Sequence, residues 1–191
     1  MHLATAIPLV VTAVLAVAGF VVTYRANLRL AQRKDRLDRV NRQLGELYGP
    51  LFALTHASGN VFMRFRSVHW PERQAFFDAP EASSEDCELW RRWMTHAFMP
   101  LTRQMVHAVV AHSDLLREEA MPECLIDLCA HVAGYEPIVA RWAEPGFDST
   151  AAEDHVSLIN FPAEALLRYA EESFGLLRAE QASLLALVQS R

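Results

Sequence analysis

The side chains best suited to chemistry are two cysteines, an aspartate and a histidine that lie close together in the sequence. These candidate metal ligands are Cys124, Asp127, Cys129 and His131. Asp127 and His131 are four residues apart and would share one face of a helix, and Cys124 would lie on nearly the same side. Thiolate, carboxylate and imidazole groups all bind transition metals, but a site needs three or four ligands that converge. Further ligands could come from His107 and His112.

The same residues also fit an ordinary helical core. The sequence has none of the close pairings that enforce convergence, such as His-x3-His, Cys-x2-Cys or the Glu-x-x-His of diiron bundles. Without them, we expect buried thiols that pack as small hydrophobic groups and a histidine that bonds its carboxylate neighbour. No thiol adjoins an activating base, no serine lies in a nucleophile elbow, and no Gly-rich phosphate loop exists. The sequence therefore predicts no cofactor and no catalytic residue.

The N-terminal segment predicts a membrane anchor. From Leu3 to Tyr24 there are 22 residues without a charged side chain, which as a helix would span a bilayer core of roughly 30 Å. Residues 25–42 then hold seven basic and two acidic side chains, whereas residues 43–191 hold 11 basic and 21 acidic ones. By the positive-inside rule the N-terminus lies outside and the body lies in the cytoplasm, at the inner membrane. The acidic body argues against binding of nucleic acid.

A cleaved signal peptide is the alternative explanation of this segment. Ala16-Val17-Ala18 matches the small-x-small cleavage pattern. A positively charged region before the apolar run is missing, however, and the run continues to Tyr24, so we favour a retained anchor. The chain has three cysteines, and this odd number fits reduced thiols in the cytoplasm.

Apolar periodicity predicts an all-α fold. Leucines recur every seven residues at Leu30, Leu37, Leu44 and Leu51, which indicates a long first helix that is kinked at Gly49-Pro50. The first predicted helix covers about 5–48 and resumes after the kink to about 66. The second runs from Ser83 or Ser84 to about 116, with a bend at Pro100. Two more helices are predicted to begin at 122 and near 162. We expect an N-terminal transmembrane helix (1–24), a basic juxtamembrane helix (25–43) and a cytoplasmic four-helix bundle (44–191) with proline-kinked helices.

The leucine register extends backwards into small residues within the anchor. Small side chains let helices approach each other closely in lipid. The shared face predicts parallel self-association of two copies, through Thr12, Ala16, Gly19, Thr23, Leu30 and Leu37. The alternative is that the leucines face the chain's own bundle.

Two other surfaces could bind a partner. The first basic side chains after the anchor are candidates for contact with anionic lipid headgroups, although they also serve as topology determinants: Arg25, Arg29, Arg33, Lys34 and Arg36. The predicted loop 67–82 contains Trp70, Phe76 and Phe77. These aromatic side chains either dock a partner or the membrane surface, or cap the end of the bundle.

Three segments resemble uncharacterised bacterial single-pass membrane proteins. They are Arg33–Leu51, which ends in Leu-Tyr-Gly-Pro-Leu, then Phe98-Met-Pro-Leu101, and Cys129-Ala-His-Val-Ala-Gly-Tyr135. The resemblance covers most of the chain and implies an N-terminal anchor with a helical body, but no activity.

The sequence therefore predicts a membrane-anchored helical-bundle protein that acts as an interaction or scaffold subunit, without catalytic activity. We expect its partners to be membrane lipid, a second copy of the chain and an unidentified protein. The alternative is a metal- or thiol-dependent bundle enzyme or sensor at the membrane.

Overall fold

Within the residues that the structure describes, the chain folds into helices joined by irregular segments. A computed structural model describes residues 3–72 and 82–189, with side chains described at 15–72, 82–151 and 153–186. Over those ranges there is no β-strand, so the predicted all-α class is confirmed. The α-helices are α1 (Leu3–Arg42), α2 (Gly49–His69), α3 (Ser84–Trp93), α4 (Met99–Ala111), α5 (Glu123–Trp142) and α6 (Ala163–Gln189).

The chain divides into two compact units. The first contains residues up to 41 and from 180 onwards, and the second contains residues 42–179. The predicted boundary between juxtamembrane helix and bundle, at 43 and 44, lies close to the first division. The end of α6 differs from expectation, because it belongs with α1 rather than with the bundle. Within the first unit the Arg36 guanidinium pairs with Glu180, and Gln181 Nε2 donates to Asn41 Oδ1 at 2.7 Å.

The predicted anchor is helical throughout the part that the structure describes. Across the residues searched, none of the helices combines the length and the apolar character needed to cross a membrane. The side chain of Thr12, one of the predicted self-association residues, lies outside the described side chains.

Each of two prolines, Pro50 and Pro100, follows a π-helical segment that accommodates it. Gln43–Tyr48 precedes Gly49-Pro50, and Met94–Phe98 precedes Met99-Pro100. Proline lacks an N–H group and its ring clashes with the carbonyl four residues earlier in an α-helix. In a π turn the residue before each proline bonds five residues back instead, Gly49 N to Leu44 O and Met99 N to Met94 O. The predicted kinks therefore take the form of local π geometry within continuous helical chain.

The core of the second unit forms where α2 packs against α4 and α4 packs against α5. Its fully buried side chains include Leu47, Leu51, Met105, Leu125 and Leu128. The leucine register thus enters this core beyond residue 44. Helix α5 continues through Pro137 to Trp142. The predicted helical bundle is confirmed as an architecture.

The start of α3 and the end of α2 are fastened together. Of the two predicted N-cap residues, Ser83 and Ser84, the structure uses Ser83, whose Oγ accepts from Asp86 N at 3.0 Å in a reciprocal capping box. Asp86 Oδ1 also accepts from Trp70 Nε1 at 2.9 Å. Trp70 is buried against Phe65, with ring centroids 4.7 Å apart. Trp70 therefore caps the helix ends, whereas the predicted loop residues Phe76 and Phe77 lie outside the described residues.

Candidate functional site

His131 is the most buried of the four candidate metal ligands, with 8% of its surface exposed. Its Nδ1 lies 2.6 Å from the carbonyl oxygen of Ile159, to which it donates. The imidazole ring also contacts Tyr135 and Phe161, with centroids 5.0 and 5.4 Å away. Burial lowers the His131 pKa, and the bond to Ile159 opposes this shift. The partner is thus a backbone carbonyl from a distant segment, whereas the spacing predicts Asp127.

The candidate thiols are half-buried and protonated at neutral pH. Burial raises the pKa of Cys124 and of Cys129, which makes both poorer nucleophiles. No group of three or more His, Cys, Asp and Glu side chains that could hold a metal ion occurs among the described residues. The structure places Cys124, Asp127, Cys129 and His131 on α5 without bringing them together as a ligand set.

The main polar contacts of α5 are instead with the irregular segment 143–162, which we call the strap. Ser157 Oγ donates to the carbonyl oxygen of His131 at 3.2 Å and accepts from Ile159 N at 3.3 Å. Gly134 allows this close approach, because a Cβ there would overlap Ser157 Oγ. The Cys129–Tyr135 segment therefore forms the docking face for the strap, which gives its histidine, glycine and tyrosine a structural role.

His155 is the centre of the strap and is fully buried. Its carbonyl oxygen accepts two hydrogen bonds, from Trp90 Nε1 at 3.0 Å and from Tyr135 OH at 3.1 Å. Its Nδ1 lies 2.9 Å from the carbonyl oxygen of Ala151, and its Nε2 lies 3.3 Å from an Arg91 guanidinium nitrogen. Arginine can only donate, so Nε2 is the acceptor and Nδ1 carries the proton. The arrangement fixes a neutral imidazole.

Burial is the main cause of a lowered His155 pKa. The positive charge of Arg91 lowers it further, whereas the bond to Ala151 and the charge of Asp154 act in the opposite direction. Each effect follows from the surroundings, because a low dielectric and a nearby cation both disfavour imidazolium.

The rest of the strap is held by arginine, aspartate and tryptophan. Asp154 bonds the Arg141 guanidinium and the Ser149 hydroxyl through its carboxylate, and its carbonyl accepts from Trp142 Nε1 at 2.8 Å. Two guanidinium groups lie over the Phe147 ring, that of Arg91 at 5.3 Å and that of Arg141 at 5.6 Å from the centroid. These contacts tie the strap to both α3 and α5.

A second polar cluster fastens the connection between α4 and α5. The Tyr48 hydroxyl accepts from Arg117 N at 3.0 Å and lies 3.1 Å from the Tyr169 hydroxyl. Tyr169 in turn donates to Glu118 Oε2 at 3.0 Å. Two residues before Arg117, the carbonyl of Leu115 accepts a hydrogen bond from Gln43 Nε2 at 2.9 Å. The Leu-Tyr-Gly-Pro-Leu segment thus holds a loop in place, and burial raises the pKa of Tyr48, which stays protonated.

The proposed self-association face is open along most of its described length. Ala16, Gly19 and Thr23 are exposed, and a Cβ on Gly19 would meet nothing within 4 Å. Leu30 is 52% exposed, whereas Leu37 is half-buried. The face from Ala16 to Leu30 is therefore exposed and could accept a second helix, whereas the Leu37 side chain is already partly covered within the chain.

The candidate headgroup contacts are also largely exposed. Among the basic side chains, Arg25, Arg29, Lys34 and Arg36 are exposed and Arg33 is half-buried. Arg36 differs from the rest because its guanidinium is bonded to Glu180. This pairing raises the Arg36 pKa and leaves four basic groups as the principal lipid candidates.

Sequence reasoning missed the residues around His155. Ser149 and Asp154 lie in an irregular segment without helical periodicity, and Arg91 contacts that segment from α3 through the Ser149 carbonyl and the His155 ring. The one available signal was the concentration of aromatic donors at Trp90, Tyr135 and Trp142.

The comparisons with known proteins give no family for this chain. No family model, no curated protein and no solved structure matches it. The resemblance to uncharacterised bacterial membrane proteins stays a prediction.

Proposed function

We propose that this protein is a membrane-anchored helical-bundle subunit that acts by binding another protein rather than by catalysis. The observation that carries the proposal is the exposed apolar surface of α1. Leu15, Val17, Phe20 and Val22 are each more than 60% exposed, and they belong to the uncharged stretch that ends at Tyr24. Transfer of such side chains out of water is worth roughly 1.5–3 kcal/mol each. A bilayer core provides that environment for a helix of this length.

The charge pattern supports an orientation for the anchor. The basic side chains begin at Arg25, immediately after the apolar stretch, and most are exposed. Juxtamembrane Lys and Arg groups favour the cytoplasmic side and contribute about 1 kcal/mol each near anionic lipid. We infer an inner-membrane protein with its body in the cytoplasm and its basic segment against lipid headgroups.

The helical body supports a binding role. Its polar clusters at Tyr48 and His155 consist of groups that satisfy one another and hold loops in place. A metal- or thiol-dependent enzyme or sensor, the alternative function, would need converging ligands or an activated thiol. The pKa of each of the three thiols is raised by burial.

Membrane attachment is tested by extraction of membranes at alkaline pH followed by flotation. The wild-type chain should stay with the floated lipid. The double variant Val17→Arg/Phe20→Arg should leave the lipid fraction, because each central arginine costs about 2.5–3.5 kcal/mol on insertion. Val68→Arg is the matched control, since Val68 is an apolar residue of α2 that is 70% exposed. Recovery of the wild-type chain in the soluble fraction, or an unaltered double variant, would refute the anchor.

The binding role is tested by crosslinking in native membranes, followed by capture of the intact chain. We expect a second, different protein to be recovered in constant ratio to the captured chain. This association should persist in the Val68→Arg variant and after a wash at high salt. Recovery of the chain only by itself or with lipid would contradict an interaction subunit.

A further inference from the structure

The strap is fastened through a histidine whose bonding requires the neutral imidazole. His155 Nε2 accepts from the Arg91 guanidinium, and Nδ1 donates to Ala151. A proton added to Nε2 would remove the acceptor and place imidazolium directly against guanidinium, within about 3.3 Å. Both effects oppose the closed arrangement, because neither cation has an acceptor to offer the other.

The charged groups around His155 do not balance the positive charge that such a proton would add. From α3 the ring faces Arg91, and Cys87 of the same helix lies under the strap. From α5 come Tyr135, whose hydroxyl donates to the His155 carbonyl, and the neutral ring of Trp142, whose centroid lies 5.9 Å from that of the imidazole. The strap itself supplies Asp154, whose carboxylate is already bonded to Arg141 and Ser149. The Arg91 guanidinium disfavours a proton on the imidazole, and the Asp154 carboxylate favours that proton less strongly.

His131 offers a contrast on the same strap. Its Nδ1 donates to the carbonyl of Ile159, and a donor remains a donor when the ring is protonated. Protonation of His131 preserves that bond, whereas protonation of His155 breaks its contact with Arg91. Burial lowers the His131 pKa as well, so desolvation disfavours a proton on both rings, but only His155 loses a hydrogen bond when it is protonated.

The closed strap also covers a thiol. Cys87 is fully buried on α3, and its Sγ lies 3.9 Å from the carbonyl oxygen of Thr150 in the strap. Between Ala143 and Pro162 the chain has only one short 3-10 turn, at 152–154, so it can leave the helices without unwinding them.

We propose that the strap is an acid-operated latch, in which protonation of His155 Nε2 displaces Arg91, releases residues 143–162 from α3 and α5, and uncovers Cys87. The direction follows from linkage. The His155 pKa is lowered in the closed state, so the open state binds the proton more readily. The latch is closed at pH values above the ordinary histidine pKa of 6.5, and it weakens as the pH falls below that value.

The test is the rate of Cys87 labelling in the full-length protein in detergent micelles between pH 7.5 and 4.5. The probe is dithiodipyridine, an aromatic disulfide that reacts with thiols in acid, and peptide mass spectrometry reads each cysteine separately. Rates are divided by those of the urea-unfolded chain at the same pH, so that the intrinsic pH dependence of thiols cancels. Cys87 protection should be constant above about pH 7 and should fall by up to tenfold per pH unit below 6.5, since one proton is linked to opening. Protection of Cys124, which lies outside the docking face of the strap, should stay constant.

Matched variants distinguish the latch from general acid sensitivity. His155→Gln keeps an acceptor for Arg91 and a donor for Ala151 but cannot be protonated, so its Cys87 protection should be independent of pH. His131→Gln should still lose Cys87 protection below pH 6.5, because His155 remains available for protonation. The latch is refuted by flat Cys87 protection in the wild-type protein, by an equal loss of protection at Cys87 and Cys124, or by a His155→Gln variant that keeps the wild-type slope. If His155→Gln does not fold, the wild-type profile and the His131→Gln profile decide the question.

Discussion

Gly49→Ala should destabilise the protein although alanine is the better helix former. Gly49 ends the first π-helical segment, where its N–H donates to the carbonyl of Leu44. A Cβ on Gly49 would lie closer than 3.0 Å to that same oxygen. The obstacle is backbone rather than a movable side chain, so the Leu44 peptide must shift and the hydrogen bond must lengthen or break. The equivalent position in the second π segment is Met99, which carries a Cβ. The steric restriction at Gly49 is therefore specific to the backbone of the first π segment.

The size of the effect follows from three contributions. Replacing glycine by alanine within a helix gains about 0.8–1 kcal/mol. Loss of the hydrogen bond costs about 0.5–1.5 kcal/mol, and forced displacement of packed backbone costs about 1–3 kcal/mol. We therefore expect a net loss of about 0.5–3.7 kcal/mol in the free energy of unfolding. Gly59→Ala is the matched control, because Gly59 lies exposed within α2 with nothing within 4 Å of a Cβ. That change should stabilise the protein by up to about 1 kcal/mol.

The assay is urea unfolding of the full-length protein in mild detergent, followed by the fluorescence of its four tryptophans. The two glycine variants should shift the unfolding midpoint in opposite directions at a similar slope. A Gly49→Ala protein as stable as the wild type, or more stable, would refute the tight π geometry. A loss of stability in both variants would show that replacing glycine by alanine does not stabilise these helices by the amount assumed.

Two further predictions concern the core and the anchor. Leu128→Ala should lower the free energy of unfolding by about 2–5 kcal/mol, because Leu128 is fully buried; a loss below 1 kcal/mol in the same urea assay would contradict the packing. Gly19→Ile should weaken self-association in lipid, whereas Ala18→Ile, on another side of α1, should have little effect. Cysteine crosslinking along residues 12–40 should then peak at 12, 16, 19, 23, 30 and 37, and flat crosslinking would show that this face serves only as an anchor.

The helical framework was predictable because it rests on local signals. Leu44 and Leu51 follow from the seven-residue period, and Ser83 follows from its capping chemistry with acidic residues in the next turn. The π-helical segments were not predictable. Pro50 and Pro100 indicate a lost donor, but they do not indicate that the preceding residue will bond five positions back.

The polar clusters were harder to predict than the core. The spacing of Asp127 and His131 permitted a bond between them, yet Ile159 from the strap supplies the acceptor instead. Contacts of this kind depend on how an irregular segment folds back, which leaves no period in the sequence. His155 shows the same limit, because nothing in its neighbours indicates that Arg91 will face its ring.

The orientation of the chain across the membrane tests the central proposal most directly. Single cysteines are introduced as His2→Cys, before the anchor, and as Ser67→Cys, at an exposed position near the end of α2. Intact cells that produce the full chain are treated with a membrane-impermeant maleimide, and each site is read by mass spectrometry. A membrane-anchored protein with a cytoplasmic body predicts labelling at position 2 in intact cells and labelling at position 67 only after permeabilisation. The reverse pattern, labelling of both sites in intact cells, or a mature N-terminus at Gly19 would contradict it.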